Sequence, residues 1–123
     1  VRRAEGLLEA NRSTAALALL RPLLEHLPAA GPDEPLACRA RAAAGRAHRR
    51  ERRHAQVLSS LRPVVAACAD ARIVSRALYV LAGSAAAAGT EEAVDLYLRL
   101  AREFPAHPLA DDALFWAAEI LSR

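Results

Sequence analysis

Leu20-Arg21-Pro22-Leu23-Leu24 returns later in the chain as Leu61-Arg62-Pro63-Val64-Val65, every position matched at one constant offset. Ala16 and Leu17 stand before the first copy where Val57 and Leu58 stand before the second. A third copy is more diverged: Ala93, Tyr97, Leu100 and Pro105 match Ala16, Leu20, Leu23 and Pro28, again at one offset. The other half of the unit recurs too, Pro35-Leu36-Ala37 as Pro108-Leu109-Ala110 and Gly45 as Gly83. A unit of roughly 36 to 41 residues repeated in one short chain reads as an array whose neighbours bury each other's apolar faces.

The residues available to build that unit point to helices. Of 123 residues, 31 are alanine, and only five are aromatic. Alanine is the best helix former and occupies little volume, so the composition suits helices packed closely together. No stretch alternates β-branched and polar residues over five or more positions, so strands are not expected. Punctuation agrees. Asn11-Arg12-Ser13 reads as a turn with Ser13 as N-cap, and Gly31-Pro32-Asp33 as a break with Asp33 as cap. Asp70 can cap the next helix, and Gly89-Thr90-Glu91-Glu92 reads as a C-terminal glycine, a cap and two first-turn acids. The apolar period then predicts seven helices over roughly 2–10, 13–27, 34–49, 53–69, 71–88, 91–104 and 108–122. Pro22 and Pro63 fall inside helical patterns at equivalent places, and each is expected to kink or delay its helix.

Glu91-Glu92-Ala93-Val94-Asp95-Leu96-Tyr97, followed by Phe104-Pro105, resembles the second helix of bacterial tetratricopeptide repeats. Phe104 to Leu121 (FPAHPLADDALFWAAEIL) resembles repeats in the α-superhelical domain of soluble lytic murein transglycosylases, and is similar also to those of outer-membrane assembly lipoproteins. The close match is confined to this stretch from Glu91 to Leu121; the remainder carries only the generic pattern. It implies an all-α, tetratricopeptide-like superhelix of about three and a half helical hairpins, right-handed, forming one domain over residues 1–123. It also implies a non-catalytic scaffold in the periplasm, serving peptidoglycan chemistry performed by a separate lysozyme-like domain. The alternative is a protein–protein interaction domain of an assembly lipoprotein or a cytoplasmic adaptor. No Glu-Ser pair of the catalytic type occurs here, so no catalytic residue carries over. Seven helices leave the last without a partner, and the chain holds no methionine, so it is expected to be an excerpt of a longer array.

Charge is unevenly placed. All 17 basic residues are arginine, which with the alanine excess reflects a coding bias more readily than selection for anion binding. Residues 36–62 hold eight arginines and one acid, whereas residues 91–123 hold three arginines and seven acids. The run Arg46, Arg49, Arg50 and Arg53 falls at a turn, where it is either a solvated face or a steering patch for an anionic partner. Arg72, Arg76 and Tyr79 share one side of the fifth helix, with Arg39 on a neighbouring one. Together they suit a groove for an acidic peptide or glycan, and equally an ordinary solvent-facing stripe. Trp116 is expected to pack between repeats, with partner binding as its other use. The expected partner is thus a protein or peptide, with peptidoglycan reached through the parent. Nucleic acid is not expected, because no aromatic residue interleaves with the arginine run.

Other constellations assemble nothing. His26, His48, His54 and His107 show no metal-ligand spacing, and Ser84 lacks the rest of a nucleophile elbow. No cofactor is expected, and no apolar run is long enough to span a bilayer. Asp111 and Asp112 are adjacent on a helix and point about 100° apart, which suits first-turn dipole partners better than an acid–base pair. Cys38 and Cys68 flank a turn centred near Glu51, with Cys68 four positions further from that centre than Cys38. The mismatch is about 6 Å along the axis, borderline for a bridge, and the simpler expectation is two small apolar core residues. The final helix carries Leu109, Ala113, Leu114, Phe115, Trp116, Ala117, Ile120 and Leu121, more apolar residues than one neighbouring helix can cover. Its surface is therefore expected open and suited to homodimerisation that buries Phe115 or Trp116.

Overall fold

A computed structural model describes all residues 1–123. It contains seven helices and no strand: α1 (Arg2–Glu9), α2 (Ser13–His26), α3 (Pro35–Arg50), α4 (His54–Ala67), α5 (Ala71–Ala88), α6 (Glu92–Glu103) and α7 (Ala110–Leu121). No helix is long and apolar enough to cross a membrane. Each helix packs on its sequence neighbours, and α3 also packs laterally on α1 and α5. Helices α1, α3 and α5 therefore lie side by side in one layer.

Backbone geometry repeats with the sequence. Asn11 and Arg52, which stand at the same offset as the two Leu-Arg-Pro copies, adopt left-handed φ values of 61° and 58°, and Gly89 ends α5 at 74°. All three turns close with the same pair of hydrogen bonds. Asn11, Arg52 and Gly89 donate their N–H to Leu8, Arg49 and Ala86, and the next residues, Arg12, Arg53 and Thr90, donate to Leu7, His48 and Ala85. This is the Schellman closure, which satisfies carbonyls left over at a helix end. Only the third copy places glycine at the left-handed position.

Packing divides into two cores. Leu8, Leu17 and Leu20 with alanines of α3 fill the first, between α1, α2 and α3. Val57, Leu61, Val64, Leu78, Leu81, Tyr97 and Leu100 fill the second, from α4 to α7. The join is made at Gly45 on α3. A Cβ placed there would collide with the side chain of Leu61, so any larger residue forces that buried leucine or the helix to shift. Leu61 belongs to the second core, and this contact is where it meets the helix of the first.

Several local expectations need correction. Ser13 is the first residue of α2 and caps nothing; its hydroxyl donates to Glu51 at 3.3 Å. Asp33 does not cap α3, whose flanking residue is Glu34 without a side-chain cap bond. Asp70 does cap α5, accepting from the N–H groups of Arg72 (2.9 Å) and Ile73 (3.2 Å). Pro22 and Pro63 lie inside α2 and α4, at the equivalent interior places their sequence positions predict. Cys38 and Cys68 form a disulfide, with Cα atoms 6.1 Å apart. The turn centres on Arg52, one position later than the sequence suggests, which halves the expected mismatch. Cys68 also lies just past α4 on extended backbone, free to swing toward α3.

Candidate functional site

A groove made of three pockets that share lining residues runs along α3 and α5 toward α6 and α7. Its first section is a pocket of about 160 Å³ between α3 and α5, floored by Ala42, Leu61, Ile73, Ala77 and Val80. Arg39 and Arg46 from α3 and Arg72 and Arg76 from α5 stand around it, with Glu5 of α1 as the single acid. A second section shares Arg46, Arg76 and Val80 and adds Arg49, Arg50 and Glu9. A third, of about 580 Å³, continues from Arg49 and Val80 to Tyr79, Gly83, Tyr97, Trp116, Ile120 and Arg123. Helical periodicity explains the gathering. Arg72, Arg76, Tyr79 and Gly83 follow the three-and-four spacing of a single helix face, as do Arg39, Ala42, Arg46 and Arg49 on α3.

The electrostatics of the arginine section are not balanced. Arg39 donates to Glu5 Oε1 at 2.6 Å, and Arg46 lies 3.9 Å from Glu5 Oε2. Glu5 is thus shared by two guanidinium groups. Arg49, Arg72 and Arg76 make neither an ion pair nor a side-chain hydrogen bond. Arg46 ionises below the usual arginine range, first because it is partly buried and next because Arg76 faces it. An anion entering the section would relieve that repulsion.

The two arginine clusters read separately from the sequence are partly one site. Arg39, Arg46, Arg49, Arg50, Arg72, Arg76, Tyr79 and Trp116 all line the groove. Arg53 does not: it pairs with Glu51 at 3.3 Å on the outer turn. That turn is tied to its predecessor, since Glu51 also accepts the Thr14 hydroxyl at 2.7 Å and Arg50 donates to Asn11 Oδ1 at 2.8 Å. The Thr14 hydrogen bond holds the Glu51 carboxyl below its usual range. Glu5, Glu9, Tyr97, Ile120 and Arg123 also line the groove, and no local sequence signal points to them, because they reach it through the packing of α1 on α3 and of α6 and α7 beyond α5.

The aromatic wall is built from contact at right angles. Tyr79 and Tyr97 meet edge to face at 5.9 Å, and Phe115 and Trp116 at 5.2 Å. Trp116 is 40% exposed, so it is a wall of the groove and not a plug between repeats. No aromatic residue interleaves with the arginines along the chain, but in space Tyr79 and Trp116 line the same section as Arg49.

Ser84 meets His54 Nδ1 at 3.0 Å, but its side chain is fully buried and out of reach of a substrate. No three His, Cys, Asp or Glu side chains gather in a way that could hold a metal ion. No family model, no curated protein and no solved structure matches the chain.

Proposed function

We propose that the chain is a non-catalytic interaction module, a length of tetratricopeptide-like superhelix that holds an extended anionic segment of a partner protein along its α3–α5 face. The observation that carries this reading is the groove in which Arg49, Arg72 and Arg76 make neither an ion pair nor a side-chain hydrogen bond. Arginine presents fixed forked donors, and an apolar floor beneath them lowers the local dielectric, so both favour carboxylate capture. The resemblance of Phe104 to Leu121 to transglycosylase repeats supports a place in the scaffold of a peptidoglycan-processing enzyme. The Cys38–Cys68 bridge supports an oxidising compartment, the periplasm among them.

Trp116 is the one tryptophan and stands in the groove, so its emission reports occupancy. Poly-glutamate at low ionic strength should shift that emission saturably, and poly-lysine should not. An Arg72→Glu/Arg76→Glu double variant, altered only at exposed positions, should lose the response while keeping its helical circular dichroism. An unchanged response in that variant would contradict the reading.

A further inference from the structure

The groove has two chemically unlike halves. Arginines from α3 and α5 surround the first, whereas Tyr79, Gly83, Tyr97, Trp116 and Ile120 wall the second. The first half is lined mainly by guanidinium groups over a small apolar floor, whereas the second is lined mostly by apolar and aromatic side chains, with Arg49 and Arg123 its charged members.

Resting on the interaction reading above, we infer that the groove recognises a two-part peptide motif: an acidic pair joined by a short spacer to an apolar or aromatic residue. Geometry sets the spacer. Along α5 the arginine section centres between Arg72 and Arg76 and the aromatic section between Tyr79 and Gly83. Seven helical positions separate those centres, about 10 Å at 1.5 Å per residue. The aromatic section is also displaced toward α7, by up to one interhelical distance of about 8–10 Å. The combined span of about 10–14 Å is three to four residues of extended chain at about 3.3 Å each. The acidic pair sits against Arg72 and Arg76, and the apolar residue lies between Tyr79 and Trp116. Tyr79 is half-buried with its ring fixed against Tyr97, so that end of the motif meets a surface already ordered.

The test uses fluorescein-labelled synthetic peptides and anisotropy with the full chain. The parent probe carries two glutamates, a Gly-Ser-Gly spacer and a Phe-Leu pair. Controls delete the spacer, replace the glutamates by glutamines, or replace Phe-Leu by Gly-Ser. The parent should bind about tenfold or more tightly than each control. Arg76→Glu should remove the advantage of the glutamates, and Trp116→Ala the advantage of Phe-Leu, each leaving the other advantage in place. Both side chains are exposed, so neither change disturbs the cores. If the Gly-Ser control binds as well as the parent, the two-part motif is overturned while capture of acidic segments stands. If oligo-thymidylate binds more tightly than every peptide, the motif is overturned in favour of nucleic acid. If no acidic peptide binds at all, the interaction reading itself falls.

Discussion

Arg52 occupies a left-handed position that costs a residue with a Cβ on the order of 1 kcal/mol. Its side chain is exposed and makes no hydrogen bond or ion pair, so glycine there should stabilise the fold by roughly 0.5–1 kcal/mol. Thermal denaturation of Arg52→Gly checks this, and a lowered Tm would contradict it. At Gly45 the opposite applies. An alanine Cβ would meet Leu61 at an impossible distance, so Gly45→Ala should cost roughly 1–3 kcal/mol as the leucine or the helix moves. His48 titrates in a direction that matters for pH. Burial pushes it below its ordinary 6.5, with Arg53 acting the same way, and its Nδ1 is buried without a partner. The unfolded chain therefore takes up that proton first, so stability is full above about pH 6.5 and falls as pH drops through the folded value. Glu51, also depressed, adds a second loss below its ordinary 4.5. Urea midpoints between pH 7.5 and 5.5 should fall for the native chain and flatten in His48→Gln. None of this was legible in the sequence, since left-handed arginines and interhelical approaches leave no local mark.

At the scale of the element, the sequence spoke more clearly. The Leu-Arg-Pro repeat marked two equivalent hairpins, and the structure adds that their turns share the same hydrogen bonds and the same left-handed position. Caps were harder: Asp70 was legible because an acid directly precedes a long helical pattern, whereas Ser13 and Asp33 have the cap chemistry but not the position. The disulfide was obscured by an error of one position in the turn centre, because about 1.5 Å per residue turns small register errors into a decision about bonding. The bridge spans a sequence separation of 30 and should contribute about 3–4 kcal/mol by constraining the unfolded chain. Reduction, or a Cys38→Ser/Cys68→Ser double variant, should lower the urea midpoint accordingly, and an unchanged midpoint would contradict the bridge. Helix α7 bears the other prediction of this scale. It buries only Ala110, Ala113 and Ala117, while Phe115 is 56% and Leu121 69% exposed. The isolated chain should therefore form a concentration-dependent dimer in sedimentation through this helix, weakened by Phe115→Glu or Trp116→Glu. Phe115→Glu should spare peptide capture, because Phe115 does not line the groove.

Across the whole molecule, function depends on which residues the helix layer brings together. Sequence spacing placed Arg72, Arg76 and Tyr79 on one side of α5 and Arg39 on a neighbour. It could not place Arg46 opposite Arg76, Glu5 between two guanidinium groups, or Trp116 in the same section as Tyr79, since those depend on α3 lying between α1 and α5 and on α6 and α7 packing in turn beyond α5. It also could not tell Arg53, held at the outer turn, from Arg49, which opens into the groove. That the partner lies on this α3–α5 face is tested most directly by hydrogen-exchange footprinting of the chain, with and without the two-part peptide at saturation. Slowed exchange is expected in Arg39–Arg50 of α3 and Arg72–Gly83 of α5, with α2 and α4 unchanged. Protection confined to the even helices, or to the outer turn around Arg53, would contradict it.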